Sequence, residues 1–479
     1  MRPSEGNTTN RNRPPGPACR GAPAFPGLPW RTVLLLALSY CLPLQAADLI
    51  DVYRLARDND PAYESARHAL EAVQQRIPQA RAGLLPTIAL SGGNSRNRSD
   101  VDFGQNAPAQ DRDIRSWNWE VRLTQPIVRV QNVYARDEAE SLAEQARAQF
   151  DEAGQELILR VAQAYFDVVA GEENIAVAQA QLKAMEEQLA LARRGFDRGT
   201  TTITDTHEAR SRVDLARAET VSAQNDLETK RAELEKIIGE LPPSLAVLRP
   251  SSVAPRPDPD DARAWIGQAR ENHPRVRAQE AALRATEAAV RKNRAEHLPT
   301  LNLVASHGRN KASGSLDTPS DYSTAARSNV IGLQLNLPLY AGGATSARVS
   351  EAIAGRDRTR ADLEAARRQA ATEARQAFAG IASGLSRIEA LASAVESGHS
   401  AVEGNRVGYQ LGIRINVDVL NAEQQLHAAR RDLTQARYET LMQGLKLKAA
   451  AGVLGEDDLM AINRMLGQGK SGWMPAYCE

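Results

Sequence analysis

The sequence predicts a mainly helical protein that also carries amphipathic β-strands, built as two copies of one helix–strand–strand–long helix–helix unit. Three observations support this fold class: landmark residues recur 213 positions apart, four segments alternate apolar with polar residues, and long stretches place apolar residues three and four apart. Aromatic residues make up 4% and charged residues 25% of the 479 residues, so we expect narrow apolar stripes on long solvated helices. The net charge of zero offers no long-range attraction to nucleic acid, which we exclude as a partner.

Residues 1–47 are predicted to be an N-terminal extension and signal peptide. An arginine precedes the twelve-residue apolar run Val33–Leu44, and small residues follow it at a suitable cleavage position after Ala46 or its neighbour. The run is shorter than the roughly 20 residues that a membrane-spanning helix needs. We therefore expect export of the mature chain. Lipidation at Cys41 is an alternative, but the bulky tyrosine before this cysteine fits it poorly.

The repeat defines the predicted division of the exported chain. The Leu-Pro-Thr at residues 85–87 recurs at 298–300, and Gly199 and Asp205 recur as Gly412 and Asp418, all with the same offset. The predicted segments are a first repeat at 48–240, a Pro-rich linker at 241–261, a second repeat at 262–455 and a C-terminal tail at 456–479.

Each repeat is predicted to hold one opening helix, two strands and two long helices. The first opening helix, from about Ala47 to Ala82, ends before a proline that disfavours helical geometry. Strict alternation, as in Trp117-Asn-Trp-Glu-Val-Arg-Leu-Thr, predicts strands with one apolar and one wet face. A helix with heptad spacing and a length of about 100 Å follows, and the chain then reverses at a glycine. The predicted strands are 86–103, 114–126, 300–311 and 325–338, and the predicted turns are 197–204 and 410–417.

Four amphipathic strands cannot close a membrane barrel alone, because the smallest such barrels use eight. Open strand edges are not tolerated in lipid. Two, three or four chains would give 8, 12 or 16 strands. A secreted protein with a solvated sheet and coiled coil is the alternative that the pattern leaves open.

The chain resembles TolC-type outer-membrane efflux proteins from about Asp48 to Leu466. The motifs that carry the resemblance are Leu85-Pro-Thr, Asn336-Leu-Pro-Leu-Tyr-Ala-Gly-Gly343, Tyr409-Gln-Leu-Gly-Ile-Arg-Ile-Asn-Val-Asp-Val-Leu420 and Ala428-Ala-Arg-Arg-Asp-Leu-Thr-Gln-Ala-Arg-Tyr438. The resemblance implies a homotrimer in the outer membrane of a Gram-negative bacterium, in contact with its lipid. A twelve-stranded transmembrane β-barrel would continue into a twelve-helix coiled-coil α-barrel in the periplasm.

The resemblance also implies the function. The protein would export proteins, small toxic compounds or both, together with a periplasmic adaptor (membrane fusion) protein and an inner-membrane ABC transporter or RND-type pump. It would be neither an enzyme nor a cofactor-binding protein. A periplasmic adaptor or coiled-coil scaffold without a pore is the alternative, although an adaptor normally has only one helical hairpin.

The helix reversals, with their glycines Gly199 and Gly412, would lie at the periplasmic tip and close the entrance. By position in the family, Tyr409 and Arg414 are expected to bond Asp205 and Thr204. A guanidinium and a phenol converging on one carboxylate form a strong, charge-assisted latch. The alternative is that Thr204 and Asp205 only cap the returning helix, and both roles can coexist.

Asp418 matches the family position that lines the pore constriction. Three copies would form an acidic ring that favours cations, or Asp418 is only a solvated residue near a helix start. Asn421 stands where the family often has a second aspartate, so weaker cation selectivity is expected.

The sequence offers no residues that would support nucleotide binding, metal binding or catalysis. The segment Gly467–Ser471 resembles a phosphate-binding loop but lacks the first glycine and a preceding strand. His207 and His427 lie on polar helical stretches and are expected to be solvated, and no histidine pairing suggests a metal site. No catalytic site is predicted.

Overall fold

The computed structural model describes residues 46–102, 110–249, 252, 254–314 and 322–467. The predicted signal sequence, Cys41, most of the segment Gly467–Ser471 and the end of the predicted tail lie outside these described residues.

The described chain is mainly helical with some sheet, as predicted. Its helices, in chain order, are α1 Leu49–Asn59, α2 Pro61–Gln74, α3 Arg76–Ala82, α4 Val130–Asp197, α5 Ile203–Ile238, α6 Ala262–Asn272, α7 Pro274–Ala295, α8 Ala344–Gln410, α9 Asn416–Ala450 and α10 Glu456–Asn463. Its strands are β1 Thr87–Val101, β2 Gln110–Val128, β3 Val247–Leu248, β4 Thr300–Ser313, β5 Ser323–Asn336 and β6 Leu466–Gly467.

The prediction of one continuous opening helix from Ala47 to Ala82 is wrong. The segment forms three helices, and the first break is at Asp60, whose carboxylate accepts a hydrogen bond from the amide of Tyr63 at 2.9 Å and caps α2. Pro61 occupies the first position of α2, where a missing N–H costs nothing. The second copy breaks in the same way, with Pro274 at the start of α7.

The four long strands form one antiparallel sheet in the order β1-β2-β4-β5. In each copy the two strands pair as a hairpin, and β2 pairs with β4 to join the copies. Both hairpins therefore belong to one surface, whose outer strands β1 and β5 have no partner on their free edges among the described residues.

In its half next to the long helices, the sheet places most of its large apolar side chains on one face. Ile88 pairs with Leu123 and Ala305 pairs with Ile331, and these four residues share a face with the tryptophans Trp117 and Trp119. Residues of the opposite face alternate with them along each strand. We call the side that carries Ile88, Leu123, Ala305 and Ile331 the apolar face and the other side the polar face.

The long helices pack as two antiparallel hairpins. α4 and α5 form the hairpin of copy one, and α8 and α9 form that of copy two. The 68 residues of α4 and the 67 of α8 correspond to lengths of about 100 Å each. None of the described helices is both long and apolar enough to cross a membrane.

The two copies meet in the largest apolar cluster, where α4 and α9 cross. The Tyr438 hydroxyl donates a 2.9 Å hydrogen bond to Glu173 Oε1, and the Tyr438 ring lies 5.4 Å from that of Phe166. Burial raises the pKa of Glu173, and hydrogen bonds from Tyr438 and Thr434 oppose the rise only in part. This polar link inside an apolar cluster sets the relative position of α4 and α9.

Candidate gate at the helix tips

The first helix reversal is closed by two backbone hydrogen bonds. The amide of Thr200 donates to Gly195 O, and the amide of Gly199 donates to Phe196 O, each at 2.9 Å. This pair of bonds is the Schellman motif, which requires a left-handed residue just after the helix. Gly199 supplies it with φ at 70°.

The second reversal repeats the motif 213 residues later. Gly412 has φ at 73°, and the amide of Ile413 donates to Gly408 O at 2.9 Å. A Cβ atom on Gly408 would lie 2.7 Å from Arg414 Cγ, and one on Gly195 would lie 2.8 Å from the Thr201 side chain. Gly195 and Gly408 were not predicted from the sequence, although their shared offset and their spacing of four from the reversal glycines are a usable signal. Because Gly195 and Gly408 have no side chain, the side chains of Thr201 and Arg414 in the turns can lie against the helix ends.

The tip of copy one is fixed by a side-chain cap. The Thr202 hydroxyl accepts a hydrogen bond from the amide of Asp205 at 3.2 Å, and the Asp205 carboxylate accepts one from the amide of Thr202 at 2.9 Å. Together they form a capping box at the start of α5. Asp205 thus takes part in a helix cap, which was the alternative to the latch, but it does so as the third helical residue with Thr202 at the N-cap, and Thr204 lies inside α5.

The tip of copy two has lost this cap. Ile415 occupies the position of Thr202 and makes no side-chain cap at the start of α9. Asp418, the counterpart of Asp205, therefore has no capping hydroxyl to bind. Its carboxylate lies 3.8 Å from the guanidinium of Arg414, and both side chains are partly exposed.

Within the chain, Arg414 and Asp205 of the predicted latch have other partners. Tyr409 is half-buried, and burial, followed by the negative charge of Asp205, raises the pKa of its phenol. Among the described residues, no hydrogen bond joins Tyr409 or Arg414 to Thr204 or Asp205. Arg414 is directed instead to Asp418 of its own helix turn.

The second predicted constriction residue is engaged by the other hairpin. Arg212 on α5 donates to Asn421 Oδ1 at 3.0 Å and to Gln424 Oε1 at 2.7 Å. These bonds tie the first turns of α9 to copy one. Arg212 was not predicted, and it also places a positive charge beside the predicted constriction.

A buried acid–base cluster lies a little further along α9. Glu423 and His427 are 3% and 5% exposed, so the expectation that His427 is solvated is wrong. Arg406 of α8 donates to Glu423 Oε1 at 2.5 Å, and His427 Nε2 lies 3.6 Å from Glu423 Oε2. Leu420 and Leu426 belong to the apolar stripe of α9. Because this stripe is buried, the side of α9 that carries Glu423 and His427 faces inward.

The charges of this cluster depend on one another. Burial acts to raise the pKa of Glu423, but His427 and Arg406 outweigh it and hold that pKa below its ordinary value. Burial lowers the pKa of the Arg430 guanidinium, and Glu423 opposes this shift. Copy one has Arg210 and Asp214 at the positions of Glu423 and His427, so the cluster is particular to copy two.

Within the part of the chain that the structure describes, no group of three or more His, Cys, Asp or Glu residues is arranged to hold a metal ion.

Known proteins resemble the chain over most of its length. A family model described as "Outer membrane efflux protein" matches residues 52–240 and 265–453, and the second segment begins and ends 213 residues after the first. The alkaline protease secretion protein AprF of Pseudomonas aeruginosa is 33% identical over 425 residues, which cover 86% of this chain and 86% of that protein. Outer membrane protein TolC of Vibrio cholerae is 31% identical over 419 residues, which cover 87% and 93%.

A solved structure shares the fold. The CmeC outer membrane channel of Campylobacter jejuni aligns with a TM-score of 0.74 at 18% identity, over 87% of this chain and 89% of that chain. At this identity the likeness concerns the fold alone.

We predict that Glu423→Gln destabilises the protein at neutral pH more than at acidic pH. The pKa of Glu423 is lowered in the fold, so its ionised form stabilises the fold above about pH 4.5, its ordinary value. That contribution is lost as the pH falls through the folded pKa. A hydrogen bond to a charged group contributes about 1.5–3 kcal/mol, and thermal unfolding of both proteins from pH 7 to pH 3 measures it.

The matched control is Glu364→Gln, which removes an exposed carboxylate paired with Arg368 on the same helix. This change should cost about 0.3–0.5 kcal/mol. A melting-temperature difference for Glu423→Gln that is equal at pH 7 and pH 3 would contradict the prediction.

Proposed function

The chain belongs to the outer membrane efflux protein family, and from that premise we propose that three copies form a duct through the outer membrane. Its substrates are proteins, small toxic compounds or both, delivered by an inner-membrane ABC transporter or RND-type pump through a periplasmic adaptor. The name of the relative AprF, a protease secretion protein, favours proteins among the substrates. Nothing in the relatives described above favours an adaptor or scaffold without a pore.

The observation that carries this proposal is the open four-stranded sheet. Its edge strands β1 and β5 each present a row of backbone groups that have no partner in the described part of the chain. Lipid offers such groups no hydrogen bonds, so a spanning sheet must close on itself. Three copies joined edge to edge give the twelve strands that the family resemblance implies, with the apolar faces toward lipid.

The helical hairpins would continue this barrel into the periplasm. Two hairpins per chain give twelve helices in the trimer, with walls of about 100 Å length. The helix tips would then converge at the entrance that the pump and adaptor reach. No covalent chemistry is required of the duct, because the pump supplies the free energy.

The gate would use the difference between the two tips. Copy one is held by its capping box and serves as a fixed frame. In copy two the start of α9 has no side-chain cap. Arg414 can therefore leave Asp418 and pair with Asp205 of a facing tip, and Tyr409 would approach the same Asp205 carboxylate. Opening would return Arg414 to Asp418, where the structure has it at 3.8 Å.

Assembly tests the proposed function. We expect the protein in outer-membrane fractions as trimers that separate into monomers on heating. A soluble periplasmic monomer would overturn the proposal. Ile331→Asp, on the apolar face and 82% exposed, should reduce assembly because a carboxylate would face lipid. Gln334→Asp, on the polar face, is the matched control and should assemble.

The gate is tested by the double substitution Tyr409→Phe with Arg414→Ser. Because it removes both donors that would hold the copy-two tip, we expect single-channel conductance in planar bilayers to rise several-fold. The equivalent change in copy one, Phe196→Leu with Thr201→Ser, is the control and should leave conductance near that of the wild type. Unchanged conductance of the first variant would remove Tyr409 and Arg414 from the gate.

The proposed constriction is tested by two substitutions that should shift ion selectivity in opposite directions. Asp418→Ala should lower cation preference in reversal-potential measurements, because it removes an acidic ring. Arg414→Ser should raise it, because the guanidinium no longer screens the carboxylate. If neither substitution moves the reversal potential, Asp418 does not line the constriction.

A further inference from the structure

The distal half of the sheet, farthest from the long helices, concentrates cations on the apolar face. Cross-strand partners share a face, and alternate residues on a strand share it too. By this register six exposed cations follow the apolar band along the four strands; we call them the cationic belt: Arg96, Arg98, Arg115, Arg309, Lys311 and Arg327.

On each strand the belt begins at the same distance from the start of the apolar band. Arg96 lies eight residues beyond Ile88 on β1, and Arg309 lies eight residues beyond Leu301 on β4. Eight residues of strand rise about 26 Å, or about 20 Å for a strand tilted in a barrel. The apolar band of an outer-membrane barrel is about 25 Å tall. The belt is therefore at the height of the outer-leaflet headgroups.

The polar face differs sharply at the same level. Its residues there are uncharged ones such as Asn97, Ser116, Asn310 and Thr324, and Arg112 is its one cation among the described residues beyond the band. Charges needed only for solubility would divide between the two faces. Their concentration on the side that meets the lipid points to a ligand on that side.

Among the residues that the structure describes, half of the belt has no acidic partner. Arg96 Nε donates to both carboxylate oxygens of Asp113 at 2.8 and 2.9 Å, and Arg115 lies 3.4 Å from the same group. Arg98 lies 3.9 Å from Asp111. Among the described residues, no carboxylate lies within ion-pair distance of the other three cations, which sit on β4 and β5: Arg309, Lys311 and Arg327.

The unpaired cations lie next to aromatic side chains of the kind found at membrane interfaces. Trp119 pairs with Arg309 across the strands, and Trp117 pairs with Lys311. Tryptophan is enriched at the level of lipid headgroups. A guanidinium binds two oxygens of a phosphate at once, and lysine binds phosphate as a point charge.

We propose that Arg309, Lys311 and Arg327 bind the phosphate groups of outer-leaflet lipid headgroups, one such site on each protomer. The ligand is a phosphate-bearing lipid, whose acyl chains lie on the apolar band while its phosphates reach the belt. This proposal rests on the proposed trimeric barrel. Binding would tie the barrel to the outer leaflet and fix its depth.

The test uses purified full-length protein in detergent, with the melting temperature of the trimer as readout. The probes are diphosphoryl lipid A, the same concentration of fully dephosphorylated lipid A, and inorganic phosphate. The inorganic phosphate is added at the phosphate concentration that the diphosphoryl lipid A supplies. We expect diphosphoryl lipid A to raise the melting temperature, and the other two probes to give little or no shift. An equal shift with dephosphorylated lipid A, or with inorganic phosphate, would overturn the proposal.

The triple substitution Arg309→Gln, Lys311→Gln and Arg327→Gln should reduce the shift caused by diphosphoryl lipid A to less than half. The matched control removes three cations from the helices, by Lys236→Gln, Arg358→Gln and Arg368→Gln, and should keep the full shift. A charge-conserving variant, Arg309→Lys, Lys311→Arg and Arg327→Lys, should keep most of it. A full shift in the triple variant would refute the site.

The trimer assay in the same samples separates the two proposals. If the wild type forms no trimer, the proposed duct fails. If trimers form and the lipid probes do not differ, only the lipid site fails. Should the triple variant not assemble, the comparison of the three probes on the wild type still decides the lipid site.

Discussion

The unpaired edges of β1 and β5 are the constraint on which the remaining structure depends. β1 has 15 residues and β5 has 14, and the backbone groups on their outer edges have no partner among the described residues. In water such edges invite aggregation, and in lipid they are not tolerated. In the proposed trimer the neighbouring copies would pair with these edges. Both helical hairpins leave the same end of this sheet, so whatever closes the sheet also brings the hairpins together.

Duplication gives each hairpin the same reversal and then allows the two tips to differ. The Schellman glycines are kept in both copies because no other residue fits the left-handed position at low cost. The cap is kept in one copy only. Replacement of a threonine by Ile415 leaves the carboxylate of Asp418 available for Arg414. A single hydroxyl thus distinguishes the capped start of α5 from the start of α9, which has no side-chain cap.

The sequence predicts the features that rest on local chemistry. Alternating residues located the strands, and paired glycines located the reversals, because backbone geometry there depends on one or two residues. The break at Asp60 was missed, since helix propensity over the whole stretch concealed a cap and a proline. Burial of His427 was missed for a different reason: a polar-looking stretch faces inward only because α8 and copy one cover it. Arg212 could not be foreseen at all, because its partners lie more than 200 residues away.

Apolar burial differs along the helical hairpins, and the difference favours the tip of copy two as the moving part of the proposed gate. The cluster where α4 and α9 cross is large and aromatic, with Tyr165 and Phe166 almost fully buried. Near the tip of copy one the apolar cluster has seven buried residues, six from α4 and α5 and one from α9 of copy two: Met185, Leu189, Ala192, Ala209, Val213, Ala216 and Leu420. The cluster between α8 and α9 of copy two is smaller, with Val402, Ala422 and Leu426, and the Arg406–Glu423 ion pair lies beside it. Segments with few buried apolar contacts open at lower free energy. Apolar packing holds α4 and α9 together in the largest cluster, while ionic contacts, which could exchange one partner for another, lie near the tip that would open in the proposed gate.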